Sequence, residues 1–600
     1  MEPISSCIYR IDPNRVALRR GKGVLTYAEL NRRANVLATH LIRNGLQPAS
    51  TVGICLERSF DWVIAALAAM RAGAAYVAMD DAWPNERIHY VIADSGTTHV
   101  IGRAGLLHKL KPGIVGVNPQ QIAIESYRAP AATTLPIISS DDLAYIVYTS
   151  GTSGYPKGVE ITHANLSHLV DWHCRAFDVT ECDRAGHLAG LSFDAAAWEV
   201  WPHLAAGASI VLADETVRTS PELLQQWLLS ERITLSYVPT ALVLPLADLT
   251  WPTQTPLRFL LTGGEKLHRS PQRPLPFVLV NNYGPTECTV VSTSGVVDFK
   301  SSAVPSIGEP IDRVWIYLLD QQGASVTPGA VGEIYIGGAG VGRGYRNLPD
   351  LTAKSFLPDP FSGAPDGRMY RTGDLGVLLS NGEIEFRGRV DSQEKIRGHR
   401  IELEEISRVL CRHPKVNFAT VHAWSDCESG EKRLIAYVMP PENNTPTSNE
   451  LQQFLTATLP SYMLPSAFVR LTALPLSRHG KVDKLLLEPP SSTNLLPSTP
   501  DSSGDALSPV SRKLLEILRE LLKTKAVGMQ DDFFLVGGHS LLGAQLIVRI
   551  RSAFQVDISL RDLFDARTVL GLAERIENLL LAEVTAMSEE EARHQMEASL

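Results

Sequence analysis

The segment YTSGTSGYPKG, residues 148–158, is dense in glycine, serine and threonine and contains one lysine, Lys157. It begins at the end of the apolar run LAYIVYT, residues 143–149, which predicts a buried strand. A loop of this composition after a buried strand offers backbone N–H groups, hydroxyls and a cation to phosphate oxygens. The Walker pattern G-x-x-x-x-G-K-S/T does not fit the segment, and a flexible surface turn is the alternative interpretation. The segment therefore predicts a phosphate-binding loop of another kind.

The residues on both sides of this loop alternate helix-like and strand-like patterns. The run ASIVLA, residues 208–213, predicts another buried strand, and residues 25–45 predict an amphipathic helix with a glycine stop. The most membrane-like segment, residues 63–79, is interrupted by an arginine. It fits a helix that breaks at Gly73 into a buried strand better than a membrane span. This alternation predicts a large α/β domain over residues 1–390.

The chain changes character three times after this first domain. Residues 391–487 open with a strand followed by a helix and predict a small α+β domain. Residues 488–508 are rich in Pro, Ser and Thr and poor in large apolar residues, which is typical of a linker. Residues 509–584 predict three short helices and thus an all-α bundle, and the tail 585–600 is polar.

The bundle contains two recognisable helix starts. Ser508 fits an N-cap with Pro509 at the first helical position. The residues that share one face of this helix are Leu514, Ile517, Leu518, Leu521 and Leu522. A second helix begins around Ser540, within DDFFLVGGHSLLG at 531–543. The nucleophile elbow G-x-S-x-G needs a glycine where this chain has Leu542, so Ser540 does not fit it.

Composition excludes several classes of protein. At 600 residues the chain is expected to form several units, since a domain contains roughly 150 residues. A net charge of −9 argues against a protein that coats nucleic acid. The seven cysteines are scattered and never spaced C-x-x-C, which indicates free thiols in a reducing cytoplasm. Residues 1–15 lack the apolar core of a signal peptide, so we expect a cytoplasmic protein that binds no membrane.

Nine further motifs accompany the loop in a fixed order. They are LTYAEL (25–30), MRAGAAYVAMD (70–80), FDAAAWEVW (193–201), NNYGPTE (281–287), GEIYIGGAGVGRGY (332–345), YRTGDL (370–375), GRVDSQEKIRGHRIELEEI (388–406), LPSYMLP (459–465) and HGKVDK (479–484). Together they resemble the core motifs of the adenylation domain of nonribosomal peptide synthetases, a branch of the adenylate-forming superfamily. Ala78 and Asp81 replace usual prolines, and Glu394 replaces a usual valine, which affects local packing more than chemistry.

The bundle adds a second resemblance. DDFFLVGGHSLL, residues 531–542, resembles the attachment motif of a peptidyl carrier (thiolation) domain. The resemblance implies that a phosphopantetheinyl transferase esterifies Ser540 with 4′-phosphopantetheine. The start of a helix suits a phosphodiester because free N–H groups point at it, although an ordinary N-cap serine is the alternative. Neighbouring synthetase domains such as condensation domains are further implied partners, and the need for a small activator protein stays open.

The adenylation resemblance implies a two-step reaction. An amino acid carboxylate attacks the α-phosphate of ATP to give an aminoacyl adenylate and pyrophosphate, and the aminoacyl group then passes to the arm on Ser540. Because anions react, such a site needs cations and aimed donors. The catalytic lysines implied are Lys157, Lys395 of the thiolation face and Lys481, which the small domain would insert into the site. Asp391 is implied as the hinge of the small domain.

The same resemblance implies the nucleotide contacts. The phosphate loop would comprise Thr149, Ser150, Gly151, Thr152, Ser153 and Gly154. Thr286 would touch a phosphate, and Glu287 would bind Mg²⁺, which favours hard oxygen ligands. The residues around adenine and ribose would be Gly264, Asn281, Tyr283, Asp374 and Arg389. Among them, Tyr283 would stack on adenine and Asp374 would bind the ribose hydroxyls.

The substrate pocket is implied in the same way. Asp194 in FDAAAWEVW would pair with the substrate α-ammonium, because a buried carboxylate without a cation would be costly. The full pocket would comprise Asp194, Ala195, Trp198, Tyr237, Leu261, Gly263, Asn282, Val290, Val291 and Lys481. The wall is mostly apolar and similar to leucine-selecting pockets, with Tyr237 where phenylalanine is frequent. Leucine or another hydrophobic amino acid is expected, although Tyr237 and Asn282 leave room for a polar or modified side chain.

Two other functions stay open at this point. A free-standing acyl-CoA ligase is disfavoured by Asp194 and by the carrier bundle. A non-catalytic carrier or scaffold is disfavoured by four intact residues, Lys157, Glu287, Asp374 and Lys481. The chain contains no H-H-x-x-x-D condensation motif and no G-x-S-x-G thioesterase motif. We therefore expect an adenylation–carrier didomain, either a loading module or a fragment of a longer synthetase.

Overall fold

The computed structural model describes most of the chain. The described residues are 3–125, 135–151, 155–300, 304–390, 393–396, 399–425, 432–441, 444–472, 487–491, 494–496, 508–522, 527–529, 531, 533, 540–556, 558, 562–563, 566 and 568–586. The chain divides into two compact units, Met1–Glu405 and Ile406–Leu600.

Three sheets build the first unit. The largest has nine strands, in the order Glu309–Pro310, Thr293–Val296, Val278–Tyr283, Phe259–Gly263, Leu235–Tyr237, Arg184–His187, Ser209–Leu212, Val16–Arg20 and Gly23–Thr26. The six strands from Val278–Tyr283 to Val16–Arg20 are paired in parallel. Parallel pairing buries both faces of a strand, as the apolar run at 208–213 predicted.

The second sheet carries the phosphate-loop segment. Its seven strands, in order, are Gly344–Tyr345, Lys157–Thr162, Leu143–Thr149, Ala75–Ala78, Thr51–Cys55, His99–Gly102 and Val115–Val117. Leu143–Thr149 and Lys157–Thr162 pair antiparallel, with Thr149 opposite Lys157. The loop therefore connects two adjacent strands of a buried sheet, and Lys157 stands at its exit.

The third sheet and a hairpin complete the strands of this unit. The third sheet contains Val314–Leu319, Val331–Gly338, Arg368–Leu378, Phe356–Pro358 and Ile384–Arg389. The hairpin pairs Gln393–Ile396 with His399–Glu402. The segment 395–414 predicts one strand followed by a helix, whereas the structure has a two-stranded hairpin before the helix Leu403–Leu410.

Helices cover the sheets of the first unit. The α-helices are Ile4–Cys7, Tyr27–Arg43, Phe60–Arg71, Asn85–Ser95, Ala104–Leu107, Pro119–Glu125, His163–Ala176, Asp194–Ala205, Pro221–Ser230, Thr240–Ala247 and Pro349–Ser355. The short 3₁₀ helices are Ile8–Arg10, Val217–Thr219 and Thr286–Cys288. Tyr27–Arg43 and Phe60–Arg71 pack against each other. The second of these ends before Gly73 and the strand Ala75–Ala78, as predicted.

Helix Tyr27–Arg43 illustrates how the sequence forms these elements. The Thr26 hydroxyl accepts the N–H of Glu29 at 3.3 Å and caps the helix start. The chain leaves the helix through Gly45, whose φ of +94° favours glycine. The side chains that face the core are Leu30, Ala34, Leu37 and Leu41.

The second unit contains a small sheet and the carrier helices. Phe418–Ser425 pairs antiparallel with Lys432–Met439, which pairs in parallel with Ala467–Arg470. Helix Ser448–Thr456 and the 3₁₀ helix Ser461–Met463 precede the third strand. The remaining helices are Pro509–Leu521, Ser540–Phe554 and Val569–Ala586. No helix in the described part of the chain is long and apolar enough to cross a bilayer.

The carrier helices share one apolar core. Ser508 caps the first helix by accepting the N–H of Ser511 at 3.0 Å, with Pro509 at the predicted position. Leu514 and Leu518 of this helix are fully buried against Leu546, Ile550 and Ile576 of the other two. These residues confirm the predicted helical bundle.

The described residues of the predicted linker contact the small sheet. The Leu496 N–H donates to the Phe468 carbonyl at 2.8 Å, and the Arg470 N–H donates to the Asn494 carbonyl at 2.7 Å. Leu487 and Leu496 are buried. A composition rich in Pro and Ser did not predict these contacts because they depend on a distant strand edge.

Candidate functional site

Lys157 is a buried cation at the exit of the phosphate loop. Its Nζ donates to the Tyr345 hydroxyl at 3.1 Å and lies 3.3 Å from Glu287 Oε1. Burial and the nearby Arg400 lower the pKa of Lys157, whereas Glu287 raises it. Gly158 follows, and a Cβ there would lie 2.9 Å from the Tyr148 ring. The glycine thus permits the close strand contact that places Lys157.

Glu287 is the anionic centre of the site. It lies in the short helix Thr286–Cys288 after strand Val278–Tyr283, and its side chain is fully buried. Oε1 accepts the Tyr345 hydroxyl at 2.7 Å, and Oε2 accepts an N–H of Arg400 at 2.7 Å. Burial would raise the pKa of the Glu287 carboxyl, but Arg400 and Lys157 lower it overall. The carboxylate is therefore ionised.

The Glu287 carboxylate is an oxygen ligand of the kind that a hard cation bound to phosphates requires. Mg²⁺ is commonly bound by one or two carboxylates together with substrate phosphates and water. Within the described ranges no group of three or more His, Cys, Asp or Glu side chains forms a ready-made metal cage. Glu287 can supply the one carboxylate of such an arrangement, and its cationic neighbours suit the phosphates.

Tyr283 and Asp374 form the second part of the site. The Tyr283 hydroxyl donates to Asp374 Oδ2 at 2.6 Å, and Arg389 contacts Asp374 Oδ1. Arg389 also donates to the Thr372 carbonyl at 3.1 Å. Strand pairing sets Asp374 opposite Arg389, which explains their contact. The structure thus brings together three of the residues predicted for adenine and ribose.

Lys395 of the hairpin lies beside this group. Its Nζ is 5.6 Å from the centroid of the Tyr283 ring. Burial lowers the pKa of Lys395, against the opposing effect of Asp374. Asn281 and Gly264, two other residues predicted near adenine, are positioned by strands of the largest sheet. Asn281 donates to the Ser306 carbonyl at 2.7 Å, and Gly264 adopts a φ of +96° directly after its strand.

Asp194 is the first residue of helix Asp194–Ala205. Burial raises the pKa of Asp194, whereas the neighbouring Thr286 hydroxyl and Ala195 N–H lower it. Thr286, predicted to touch a phosphate, thus also neighbours the carboxylate predicted for the amino acid. Glu287 directly follows Thr286 in the chain. Thr286 therefore links the two anionic side chains of the site, Asp194 and Glu287.

The predicted side-chain pocket is a mostly apolar wall. The Trp198 and Tyr237 rings are 5.8 Å apart, and the Tyr237 hydroxyl donates to the Gly263 carbonyl at 3.2 Å. A Cβ at Gly263 would lie 2.4 Å from the Asn282 carbonyl oxygen, so only glycine allows this strand contact. The remaining wall residues are Leu261, Asn282, Val290 and Val291, all buried or partly buried in the same unit.

Three features of the wall were not predicted. Asn282 Nδ2 donates to the Thr262 carbonyl at 3.1 Å, while Oδ1 has no partner among the described residues. Trp198 Nε1 donates to His173 Nδ1 at 2.9 Å, which fixes the indole ring from behind. Val290 adopts a φ of +69°, an unusual conformation for a β-branched residue.

Glu199 was also missed as a positioning residue, although it lies within FDAAAWEVW. It accepts the N–H groups of Leu188 and Ala189, each at 2.9 Å. Arg58 donates to the carbonyls of His187 at 3.1 Å and Ala189 at 2.6 Å. Burial raises the pKa of Glu199 to about 7. The hydrogen bonds of these two buried side chains fix the backbone shortly before Asp194.

Several predicted residues lie outside the described ranges. They are Thr152, Ser153, Gly154, Asp391 and Lys481. Ser540 is the first residue of the helix Ser540–Phe554, although its side chain is not described. The start of a 15-residue helix fits a phosphodiester group.

Comparison with known proteins places this geometry in a family. Residues 10–346 match the AMP-binding enzyme family, and residues 405–481 match the AMP-binding enzyme C-terminal domain. Residues 512–576 match the phosphopantetheine attachment site. The groups that these families use are ATP with Mg²⁺ and 4′-phosphopantetheine, which fit Glu287 and the helix start at Ser540.

Individual relatives agree with the family match. The chain is 45% identical over 568 residues to one of the subunits of linear gramicidin synthase of Brevibacillus parabrevis, covering 94% of this chain and 11% of that protein. It is 38% identical to malpibaldin synthetase of Mortierella alpina, covering 96% of this chain and 10% of that protein. The chain thus spans about a tenth of the length of these relatives.

A solved structure matches both units. It is a holo NRPS protein that contains adenylation and PCP domains and is bound to a vinylsulfonamide inhibitor. The identity is 28% and the TM-score 0.76, covering 96% of this chain and 97% of that chain. The chain therefore belongs to the AMP-binding enzyme family of ATP-dependent adenylating ligases, and it combines a nonribosomal-peptide-synthetase adenylation domain with a phosphopantetheine carrier domain.

Proposed function

We propose that this chain activates a hydrophobic amino acid with ATP and loads it onto a phosphopantetheine arm at Ser540. The observation that supports this proposal most strongly is the link through Thr286. Thr286 is near enough to the Asp194 carboxylate to lower its pKa, and the adjacent Glu287 lies 3.3 Å from Lys157 Nζ. A carboxylate for an α-ammonium therefore adjoins a cationic site for phosphates, as the joining of an amino acid to ATP requires.

The residues of the first unit take the following roles in this proposal. Asp194 binds the substrate ammonium and so directs the substrate carboxylate toward the phosphates. Lys157 stabilises the negative charge that develops on the phosphates during attack. Tyr283 stacks on adenine, and Asp374 binds the ribose hydroxyls with Arg389 beside it. Thr149, Ser150 and Gly151 line the phosphate loop at its described end, and Thr152–Gly154 continue it.

Glu287 would hold a Mg²⁺ ion, and a metal bound there would neutralise charge on the leaving pyrophosphate. The fully buried, ionised carboxylate of Glu287 supports this assignment. Asn281 and Gly264 shape the backbone near the adenine edge.

The remaining roles concern the second half of the reaction. Lys481 bridges the substrate carboxylate and a phosphate during adenylation, and Asp391 is the hinge about which residues up to 487 move. Lys395 belongs to the face that serves thioester loading. The arm on Ser540 supplies the thiol that accepts the aminoacyl group. A phosphopantetheinyl transferase and neighbouring synthetase domains such as condensation domains are the proposed partners.

Leucine is the proposed side chain. The wall of Trp198, Leu261 and Val291 is apolar, and within the described part of the pocket Asp194 is the charged member. An apolar pocket separates aliphatic side chains by only about 1–3 kcal/mol, so isoleucine and valine follow leucine. The Tyr237 hydroxyl is already bound to the Gly263 carbonyl, which leaves an apolar surface toward the substrate.

An amino-acid-dependent ATP–pyrophosphate exchange panel tests the proposal. The full chain is assayed with each proteinogenic amino acid and with fatty and aryl acids. We expect the highest exchange rate with leucine and a background rate with acids that lack an α-ammonium. A maximum with a charged amino acid would contradict the pocket assignment. Exchange driven by a fatty acid would contradict the role of Asp194.

A further inference from the structure

Both oxygens of the Glu287 carboxylate are occupied by positive or donating groups. Oε1 accepts the Tyr345 hydroxyl at 2.7 Å and lies 3.3 Å from Lys157 Nζ. Oε2 accepts an N–H of Arg400 at 2.7 Å. The side chain of Arg400 is 16% exposed and that of Glu287 is inaccessible. The carboxylate proposed to bind Mg²⁺ thus already has a cation on Oε2.

The strand that carries Arg400 is attached to the phosphate loop. The Ser150 hydroxyl donates to the Arg400 carbonyl at 2.7 Å, and the Glu402 N–H donates to the Ser150 oxygen at 3.1 Å. The Gly151 N–H donates to Glu405 Oε2 at 3.3 Å, while Arg87 pairs with Glu405 Oε1 at 3.0 Å. These bonds fix the Arg400 backbone, so its guanidinium is held at Glu287.

A divalent metal at Glu287 needs the same oxygen. Mg²⁺ binds carboxylate oxygens directly, at about 2.1 Å, and requires near-octahedral geometry. Oε1 is already turned toward Tyr345 and Lys157, which leaves Oε2 as the oxygen for a metal to bind. A guanidinium on Oε2 blocks this position and repels a dication a few ångströms away. The metal and Arg400 cannot share Glu287 in this arrangement.

We propose that Arg400 is the counter-ion of Glu287 in the metal-free site, so that its guanidinium and a divalent metal bind this carboxylate alternately. The inference rests on the proposed function, because it assumes that Mg²⁺ arrives with ATP. Binding of the metal displaces Arg400 and breaks the bonds between Ser150 and the strand His399–Glu402. Departure of the metal with pyrophosphate lets Arg400 return, together with Lys395 on the paired strand.

The alternation has a chemical consequence. A buried carboxylate that loses its metal would be left unpaired, at a considerable cost in free energy. Arg400 removes this cost at the moment when the hairpin brings Lys395 beside Tyr283. Because Arg400 replaces the metal at Glu287, the position of the hairpin is coupled to the departure of pyrophosphate.

Metal-dependent nucleotide binding tests the inference. The full chain is titrated with α,β-methylene-ATP in a calorimeter under two conditions. One contains Mn²⁺, and the other contains a chelator in place of the metal. The compared quantity is the ratio of the dissociation constant without metal to that with metal. In Arg400→Gln this ratio should rise at least about fivefold, the lower end of typical coupling between sites. Arg387→Gln, an arginine paired with Glu385 and half exposed, is the matched control and should leave the ratio unchanged.

A second measurement uses the unaltered chain and does not depend on the folding of a variant. Hydrogen exchange is followed in peptides that contain residues 399–405. Because the Glu402 N–H is bound to Ser150, its exchange should accelerate with Mn²⁺ and the analogue compared with the analogue alone. Slower or unchanged hydrogen exchange would overturn the inference. A ratio of dissociation constants in Arg400→Gln equal to that in Arg387→Gln would also overturn it.

These outcomes are separable from those of the proposed function. Neither measurement uses an amino acid. If no amino acid supports pyrophosphate exchange but the ratio and the hydrogen exchange shift, the proposed function fails and the cation alternation stands. If leucine supports pyrophosphate exchange and neither quantity shifts, the cation alternation fails alone.

Discussion

Tyr345 joins the two charged groups of the phosphate site at the scale of single residues. Its hydroxyl donates to Glu287 and accepts from Lys157. A hydrogen bond to a charged group contributes about 1.5–3 kcal/mol, so Tyr345→Phe should lower ATP–pyrophosphate exchange about tenfold or more. Tyr317→Phe, which removes a hydroxyl bonded to Asp359 at 3.1 Å in the third sheet, is the control. A wild-type rate in Tyr345→Phe would contradict the assigned geometry.

Asp194 carries the second prediction at this scale. Asp194→Asn keeps the shape of the side chain but removes the charge proposed for the substrate ammonium. We expect the KM for the amino acid to rise by roughly 10- to 100-fold, because an ion pair in a desolvated site is lost, while the KM for ATP changes little. The exposed Asp214, exchanged for Asn, is the control. Equal effects on both KM values would show that Asp194 acts on the site as a whole.

Glu199 belongs to the scale of the element, because it holds the turn that leads into helix Asp194–Ala205. Burial raises the pKa of this carboxyl from 4.5 to about 7. A raised acid pKa makes the native state bind more protons than the unfolded chain between these values. The contribution to the free energy of unfolding is fully present below pH 4.5 and is lost as the pH rises to about 7.

The corresponding prediction uses Glu199→Gln, which cannot titrate. The urea midpoint of Glu199→Gln minus that of the wild type should increase as the pH rises from 4.5 to about 7. Above that pH the difference should stay constant. Tryptophan fluorescence reports this transition, since Trp62 and Trp201 are buried in the same unit. Parallel pH profiles of the two proteins would contradict the raised pKa.

The elements also show how far the sequence predicts the structure. Periodicity located helix Tyr27–Arg43 and strand Leu143–Thr149 because their apolar spacing is local. It missed the second strand of the hairpin 393–402, which is only four residues long and depends on its partner. It missed the contact of Leu496 with Phe468 for the same reason, since strand edges are assembled by tertiary structure.

The candidate site was predicted to a similar extent. Motifs located Lys157, Glu287, Asp374 and Asp194, and the structure places each beside another predicted residue. Tyr345 and Arg400 lie within quoted motifs, yet their roles depend on side-chain directions that no spacing defines. Glu199 and Arg58 both bind the backbone of residues 187–189, although they are about 140 residues apart in the chain. A local sequence pattern cannot show such an arrangement.

At the scale of the whole molecule the two lysines Lys395 and Lys481 should divide the reaction. Lys481→Ala should lose ATP–pyrophosphate exchange by about 100-fold, because a charge on the reacting anions is removed. Lys395→Ala should keep exchange near the wild-type rate and slow the loading of the arm. Circular dichroism checks that both variants fold. A loss of exchange in Lys395→Ala equal to that in Lys481→Ala would contradict this division.

The central claim is that one chain both forms the aminoacyl adenylate and carries its product on Ser540. Intact-mass measurement after treatment with a phosphopantetheinyl transferase and coenzyme A, and then with ATP, Mg²⁺ and leucine, tests it most directly. We predict one phosphopantetheine mass step followed by one leucyl step in the wild type. Ser540→Ala should lose both steps while keeping pyrophosphate exchange. A Ser540→Ala chain that still gains the phosphopantetheine mass, or a modified wild type that never gains the amino acid, would contradict the account.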